Sequence, residues 1–290
     1  MTGAEILTNR GRWGSADERG TLNFITPEAS ARGAAEVRTG LSVSLAYPVT
    51  PVPLAAPVPF GANPMPAGVM QVMTYTGSPS KAMVDLLVIN THHASVTHID
   101  ALAHVPIDGQ VYPGVDLDAA VVRGTVAHGS TTAFAAGLTT RGVFLDLASS
   151  GRVEAGREIT SADLDAAEER SGLHVESGDA LALRAGWDVG ASIGQTVPVL
   201  TLDAVGWLAR REISLYLGDV GDPPPIRPGI VMALHGVALP QLGLPLIDNP
   251  DLSGLAEMCA RTGRNAFLLA LAPLRIHGLT GVPVNPLAIF

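Results

Sequence analysis

The segment VFLDLASSGRVEAGREITSADLDAAEERSGLHVESGDALALR, residues 143–184, carries the clearest sign of the fold class. Its ends, Val143–Leu147 and Ala180–Arg184, are short apolar runs of the kind that form buried strands. Between them the sequence predicts a helix over Ser161–Ser171, with Thr160 as its N-cap. A strand, a helix and a second strand in this order favour an α/β architecture.

The alternation of strands and helices extends on both sides of this unit. The N-terminal half predicts mainly strands and loops, and the C-terminal half predicts further strands and helices. The predicted strands are Leu41–Tyr47, Val72–Thr76, Met83–Asn90, Ser214–Leu217 and Ala266–Leu271, and the predicted helices run from Thr201 through Arg211 and over Leu252–Ala260. No point along the chain suggests a boundary, so we expect one domain over residues 1–290.

The composition excludes several classes of protein. The chain has 290 residues, 47% of them hydrophobic and 16% charged, so it can bury a core and is not intrinsically disordered. Its 27 acidic residues outnumber 18 basic residues and give a net charge of −9, which argues against a nucleic-acid partner. The single cysteine, Cys259, rules out an intrachain disulfide and a zinc site of the CxxC type.

No segment of the sequence has the character of a targeting or membrane segment. The first 20 residues, MTGAEILTNRGRWGSADERG, contain no apolar stretch of the signal-peptide type. Prolines interrupt the apolar segment Ile230–Ile247, where a lipid-facing helix would leave backbone groups unpaired. We therefore expect a cytoplasmic protein with no membrane partner.

Histidines are concentrated in the segment THHASVTHIDALAH, residues 91–104. Four of the eight histidines in the chain lie there. His98 and Asp100 are two residues apart, so in a strand both side chains lie on one face. On an extended path His92 joins that face and His93 lies on the other.

This segment predicts a metal site with His92, His98 and Asp100 as ligands. Imidazole nitrogens and a carboxylate oxygen on one face suit a divalent metal, zinc or manganese. His104 follows Asp100 by four residues, so a short turn can return it to the same pocket. The alternative is a set of core or capping histidines, but buried histidine and aspartate side chains without partners would each cost about 1–3 kcal/mol. A bound metal would remove that cost.

The same segment resembles the metal-binding motif of the cyclase family, which includes kynurenine formamidase and isatin hydrolase. One subfamily has the pattern H-G-x-x-x-T-H-x-D-A-L-x-H, which this chain matches from His92 to His104 except that His93 replaces the glycine. Further segments that resemble the family follow in the same order: Arg12–Gly14, Thr21–Asn23, Arg141–Asp146, Gly178–Asp179, Arg184–Trp187, Ala272–Leu274, Thr280–Gly281 and Pro283–Pro286. The resemblance implies a swivelling β/β/α domain, with a mixed β-sheet flanked by helices.

The resemblance also implies a histidine and a glutamate late in the chain as metal ligands. His235 takes the place of that histidine, but Asp248 stands where the family has glutamate. The aspartate side chain is one methylene shorter, which leaves open whether it binds and whether the site holds one metal or two. A turn before Pro250 is the competing role for Asp248. The first ligand also stays open between His92 and His93, although strand parity and the subfamily spacing favour His92.

Three hypotheses for the function follow. In the first, a divalent metal, Zn or Mn, activates water and the chain hydrolyses a C–N bond of a small amide, lactam or N-formyl compound. His104 would carry a proton from the water to the leaving nitrogen. In the second, the same site closes the ring of a polyketide-type substrate. In the third, the chain binds metal without catalysis, an alternative that the shorter Asp248 supports. Family members usually associate, so the resemblance implies a homodimer or a larger homo-oligomer.

Other features near the expected site have less specific signals. Four aromatic residues are candidates for a wall that faces the substrate: Phe60, Tyr75, Tyr112 and Phe134. The proline-rich segment Pro48–Gly68 predicts either a lid over the site or a plain surface loop. Asp219 follows a predicted strand, where sites of α/β proteins usually lie, but a role in a turn is the favoured interpretation.

Overall fold

The computed structural model describes residues 7–53, 67–79, 81–188, 192, 195–222 and 232–290. The α-helices in these ranges are α1 (Pro27–Ala34), α2 (Leu117–Ala120), α3 (Ser161–Ser171), α4 (Leu202–Arg210) and α5 (Ser253–Thr262). Short 3₁₀ helices span Gly20–Phe24 and Thr131–Phe134, and a π-helix spans Leu234–Leu242. The strands are β1 (Ser42–Ser44), β2 (Val52–Pro53), β3 (Val69–Thr76), β4 (Ala82–Ile89), β5 (His98–Asp100), β6 (Gln110–Val111), β7 (Val115–Asp116), β8 (Val121–Val122), β9 (Thr125–Val126), β10 (Leu138–Asp146), β11 (Glu158–Ile159), β12 (Ala180–Arg184), β13 (Val199–Leu200), β14 (Leu215–Gly218), β15 (Leu246–Asp248), β16 (Ala266–Leu271), β17 (Gly281–Pro283) and β18 (Leu287–Ile289).

Nine of the strands in the described ranges form one curled mixed sheet, in the order β1–β18–β16–β10–β12–β14–β15–β5–β17. The central strands β10, β12, β14 and β15 run parallel, and the flanking pairs run antiparallel. Alternate residues of β12 enter different cores: Leu181 and Leu183 pack on one face, Ala180 and Ala182 on the other. Both faces of the sheet are therefore covered, as parallel strands require.

Helices flank this sheet, which confirms the predicted α/β fold class. Helices α3 and α4 pack against the face that contains Leu181, and α5 packs against the opposite face. Helix α3 begins and ends where the sequence predicts. Thr160 and Asp163 form a reciprocal capping box at its start, and Gly172 ends it in the left-handed conformation with φ of 67°.

Several predicted boundaries differ from the structure, including those of strands β1, β3 and β10 and of helix α5. The strand predicted over Leu41–Tyr47 is restricted to β1, where three residues pair with β18. The helix predicted from Leu252 begins one residue later, at Ser253, and Leu252 is its N-cap. The backbone N–H of Ser253 donates to the Asp251 carboxylate at 3.0 Å.

The short strand β5 lies between β15 and β17 and is antiparallel to both. In this register His98 lies opposite Asp248 on one side and Pro283 on the other, and Asp100 lies opposite Gly281. The fold thereby brings the histidine-rich segment next to the last quarter of the chain. The described helices are all too short or too polar to span a lipid bilayer.

Candidate metal centre

Strand β5 directs two donor side chains to one face, as the sequence predicts. His98 is 3% exposed and Asp100 is fully buried, and the His98 Nε2 atom lies 3.4 Å from Asp100 Oδ1. Ile99, between them, packs into the core on the other face of the sheet. The alternation of a β-strand therefore explains why these two side chains meet.

The structure brings His92, and not His93, to this pair. His92 Nδ1 lies 3.0 Å from Asp100 Oδ1, and its Nε2 shares a hydrogen bond of 3.0 Å with Thr280 Oγ1. The His93 ring pairs with Ser95 instead, through an Nδ1–Oγ distance of 2.8 Å at the protein surface. This geometry favours His92 as the first donor, in agreement with the strand parity.

His104 returns to the same cluster through a tight turn. Its backbone N–H donates to the Ala101 carbonyl at 2.9 Å. The His104 ring stacks on the His92 ring, with centroids 3.9 Å apart and planes 5° apart, and it lies 6.0 Å from the His235 ring. The short turn predicted after Asp100 is therefore present.

His235 reaches the cluster from the π-helix, and Asp248 reaches it from the end of β15. His235 Nε2 lies 3.3 Å from Asp100 Oδ2 and 3.3 Å from Asp248 Oδ2. The Asp248 side chain is 32% exposed, so it borders the cluster on the solvent side. All residues predicted for the site thus lie together, although more than 130 positions separate Asp100 from His235.

The arrangement of the donor atoms suits the binding of a divalent cation better than it suits hydrogen bonds among the side chains themselves. His98 Nδ1 donates to the Val96 carbonyl at 2.8 Å, so its Nε2 offers a lone pair toward the Asp100 carboxylate. His92 Nδ1 and Asp100 Oδ1 are 3.0 Å apart and buried, yet their geometry makes no hydrogen bond and neither has another partner. Lone pairs that face each other in this way repel unless a cation lies among them.

The donors form two groups that share one carboxylate. In the first group, His92, His98 and Asp100 place their donor atoms within 4.8 Å of one another. In the second, Asp100, His104 and His235 do the same. A histidine and carboxylate cluster of this kind can hold a divalent metal, and neither group by itself identifies zinc or manganese.

Together, burial and neighbouring charges lower the pKa values of Asp100 and His104 and raise that of His235. Burial opposes ionisation of Asp100, but the close contacts with His235 and His92 and the charges of His104 and His98 outweigh it and hold the pKa of Asp100 well below its usual range. Burial lowers the pKa of the His104 imidazole to about 4. Burial also disfavours the charged form of His235, but its hydrogen bonds to Asp100, Asp222 and Asp248 raise its pKa to about 12. In the absence of a metal, a proton on His235 balances the surrounding carboxylates.

Two residues in contact with the cluster had no assigned role in the sequence. The Asp222 carboxylate lies 2.9 Å from His235 Nδ1, and Thr280 Oγ1 contacts His92. Thr280 falls in a segment that resembles the cyclase family, so that resemblance is a signal for it. Asp219 directly follows the end of β14 and Asp222 follows it by four residues, and the sequence pattern does not indicate which of the two contacts the site.

The predictions for the surrounding residues have mixed outcomes. Tyr112 and Phe134 are buried in the cores with 0% and 1% exposure, so their prediction as a substrate-facing wall is wrong. Both rings complete hydrophobic packing, which is the commoner place for an aromatic side chain. Phe60 and the Tyr75 side chain lie outside the described part of the chain. Residues 54–66, which make up most of the segment predicted as a lid or a surface loop, also lie outside it. Asp219 accepts the backbone N–H groups of Ala185, Gly186 and Trp187, which lie 32–34 positions earlier, so it ties two segments together instead of closing the local turn that the sequence favours.

Comparisons with known proteins agree with this fold. The family model Cyclase matches residues 41–223. A crystal structure described as a novel cyclase is 27% identical, with a TM-score of 0.82 over 98% of this chain and 100% of that chain. An isatin hydrolase bound to the product analogue thioisatinate is 20% identical, with a TM-score of 0.63 over 91% of this chain and 98% of that chain. Isatin hydrolase A from Labrenzia aggregata, bound to benzyl benzoate, is 20% identical, with a TM-score of 0.61 over 89% of this chain and 96% of that chain. No curated protein sequence matches the chain.

Proposed function

This chain belongs to the cyclase family, and we propose that it is a metal-dependent hydrolase that cleaves a C–N bond of a small molecule. The substrate class that we propose is an amide, a lactam or an N-formyl compound. The observation that carries the proposal is the convergence of histidine donor atoms on Asp100, where two buried atoms, His92 Nδ1 and Asp100 Oδ1, have no hydrogen-bond partner. The fold shared with proteins named isatin hydrolase supports the choice of hydrolysis.

We propose that His92, His98 and Asp100 hold the metal, Zn or Mn, with His235 and Asp248 completing the site. Asp248 keeps its place in this proposal because its carboxylate reaches His235 Nε2 in spite of the shorter side chain. When bound, a divalent cation would polarise the substrate carbonyl and make water a stronger nucleophile near neutral pH.

His104 is the residue that we propose moves the proton. Its lowered pKa of about 4 makes the imidazole neutral near pH 7, so it can accept a proton from the attacking water. Hydrolysis adds the water oxygen to the carbonyl carbon and breaks the C–N bond, and the proton held by His104 passes to the leaving nitrogen. The nearby carboxylate of Asp100 stabilises the imidazolium between these steps.

The second donor group gives His104 a competing role as a ligand of a second ion. A ring nitrogen that binds a metal cannot also carry the proton. Metal stoichiometry separates the two roles: a parent protein with two equivalents and a His104→Ala variant with one would make His104 a ligand. One equivalent in both proteins, with activity lost only in the variant, supports the proton-transfer role.

Elemental analysis of the purified protein beside Asp100→Ala and His98→Ala tests the proposal. His174→Ala is the matched control, since its side chain is 72% exposed and pairs with Glu168 away from the site. We expect at least one equivalent of metal in the parent and in the control, and loss of it in both site variants. A parent that neither contains nor binds zinc or manganese would refute the proposal.

Product analysis with an aryl formamide and a lactam then tests the reaction itself. Incorporation of oxygen from labelled water into the product, in step with breakage of the C–N bond, supports hydrolysis. A ring-closed product without uptake of water would identify the alternative cyclase reaction. A metal-loaded protein that turns over neither compound nor an activated ester would indicate a relative that binds metal without catalysis.

A further inference from the structure

The Asp222 carboxylate holds His235 through both its ring and its backbone. Asp222 Oδ2 accepts from His235 Nδ1 at 2.9 Å and from the His235 backbone N–H at 2.7 Å. Its Oδ1 accepts from the Leu234 backbone N–H at 3.1 Å. The Asp222 side chain is 8% exposed, so water competes little for these contacts.

These contacts determine which nitrogen of His235 faces the cluster. A carboxylate can only accept hydrogen bonds, so His235 Nδ1 carries a proton. The other nitrogen, Nε2, is the atom that lies 3.3 Å from both Asp100 and Asp248. With Nδ1 protonated, Nε2 is the nitrogen that can give a lone pair to a metal.

The same carboxylate also fixes the backbone from which the ring projects. The π-helix starts at Leu234, and the first N–H groups of a helix have no partner within it. Asp222 binds two of them, at Leu234 and His235. One side chain thus sets both the start of the helix and the orientation of the imidazole.

We propose that Asp222 is a positioning residue that orients His235 toward the metal, an inference that rests on the proposed function. A carboxylate that accepts from the second nitrogen of a metal-binding histidine fixes the ring and raises its basicity, and loss of such a partner typically lowers metal affinity about 10–100-fold. The carboxylate acts through His235 and makes no contact with substrate in this scheme.

A purely structural cap is the alternative, and Asp219 offers a matched control for it. Three residues earlier on the same loop, Asp219 accepts backbone N–H groups of Ala185, Gly186 and Trp187 at 2.5–2.9 Å. It contacts none of the clustered histidines. Removal of Asp219 therefore removes backbone contacts of the same kind and leaves His235 untouched.

The test compares the parent with Asp222→Ala, Asp222→Asn and Asp219→Ala. Zinc affinity is measured by competition with a chromophoric chelator, and the visible spectrum of the cobalt-loaded protein reports the ligand environment. We expect Asp222→Ala to lose about 10–100-fold in affinity in at least one zinc-binding step and to shift the cobalt bands. Asp222→Asn should fall between it and the parent, because the amide oxygen can still accept from His235 Nδ1. Asp219→Ala should lower the Tm and leave affinity and spectrum unchanged.

The outcomes separate this inference from the proposed function. A parent that binds neither zinc nor cobalt overturns both. If the parent binds zinc and cobalt, but Asp222→Ala binds zinc as tightly as Asp219→Ala does, only the role of Asp222 is overturned. If Asp222→Ala does not fold, Asp222→Asn provides the test. When His235 is already replaced by alanine, adding Asp222→Asn should cause no further loss of zinc affinity. A further loss of zinc affinity in that double variant refutes the inference.

Discussion

Replacement of Gly281 by alanine would test how closely His92 must be positioned. Gly281 begins β17, opposite Asp100. A Cβ atom at this position would lie 2.7 Å from His92 Cε1 and 3.1 Å from His92 Nε2. The same Cβ atom would lie 3.0 Å from the backbone carbonyl oxygen of Ile99. The φ angle of Gly281 lies outside the left-handed region, so steric contact alone opposes the substitution.

The required displacement follows from these distances. Non-bonded carbon atoms are optimally about 3.5–4.0 Å apart, so the His92 ring would have to move by about 1 Å. It cannot do so freely, because it stacks on His104 at 3.9 Å and shares a hydrogen bond with Thr280. Displacement of about 1 Å in an active site can cost about 100-fold in rate. Overpacking of this kind typically costs about 1–3 kcal/mol in the free energy of unfolding.

The assay is a zinc titration together with kcat/KM on the substrate found in the product analysis. We expect Gly281→Ala to lose about 100-fold in kcat/KM and to bind zinc more weakly than the parent. Gly206→Ala in α4 is the control, since its Cβ would meet only side-chain ends, Arg210 NH1 at 3.2 Å and Leu7 Cδ1 at 3.6 Å. That change should stabilise the helix by about 0.5–1 kcal/mol and leave zinc binding unchanged. Parental affinity and activity in Gly281→Ala would refute the argument that His92 needs this position.

Three further predictions concern other parts of the structure. His93→Ala should leave zinc affinity unchanged and His92→Ala should lower it at least about tenfold, because the His93 ring pairs with Ser95 outside the cluster; the reverse ranking in a zinc titration would contradict the assignment. Zinc at 100 times its Kd should stabilise the protein by about 2.7 kcal/mol. The Tm should therefore rise by about 5 °C and fall again with a chelator, and a Tm indifferent to zinc would count against a metal site. Asp179→Ala should lower the free energy of unfolding by about 3 kcal/mol in urea denaturation, because the buried Arg141 guanidinium then keeps only the carboxylate of Glu176, whose side chain is 47% exposed; a loss below about 1 kcal/mol would contradict this.

The parts of the fold that the sequence predicts well are those determined by local contacts. Helix α3 agrees at both ends because Thr160 and Gly172 lie within one turn of its termini. The strand Ala180–Arg184 agrees because its residues are buried on both faces of the sheet. The start of α5 differs by one residue, because the apolar pattern does not distinguish the N-cap, Leu252, from the first helical residue, Ser253.

The residues of the candidate site also divide into those that local sequence patterns predict and those that they do not. Strand parity is a local property, so it correctly places His92, His98 and Asp100 together. His235 could be predicted only through the resemblance to the cyclase family, because a lone histidine in an apolar run has no local signal. Asp222 could not be predicted, since its role depends on a contact between two segments that only the folded chain defines.

Three expectations from the sequence stay predictions: the single domain over residues 1–290, the cytoplasmic location and the homo-oligomeric state. The identity of the ion, zinc or manganese, belongs with them, because both accept the nitrogen and oxygen donors that the cluster offers. The metal analysis described above decides this last point directly.

Strand β5 also bears on the order of events during folding. It has three residues, and the partners of its cluster are far away in the chain: 188 positions separate His92 from Thr280, and 135 separate Asp100 from His235. Contacts over such distances require the closure of long loops, and they form slowly. The donors therefore meet only after most of the sheet has formed, so zinc should leave the refolding rate nearly unchanged and should act mainly by slowing unfolding. The lifetime of the folded protein, rather than the speed at which it folds, is the quantity that metal supply would control.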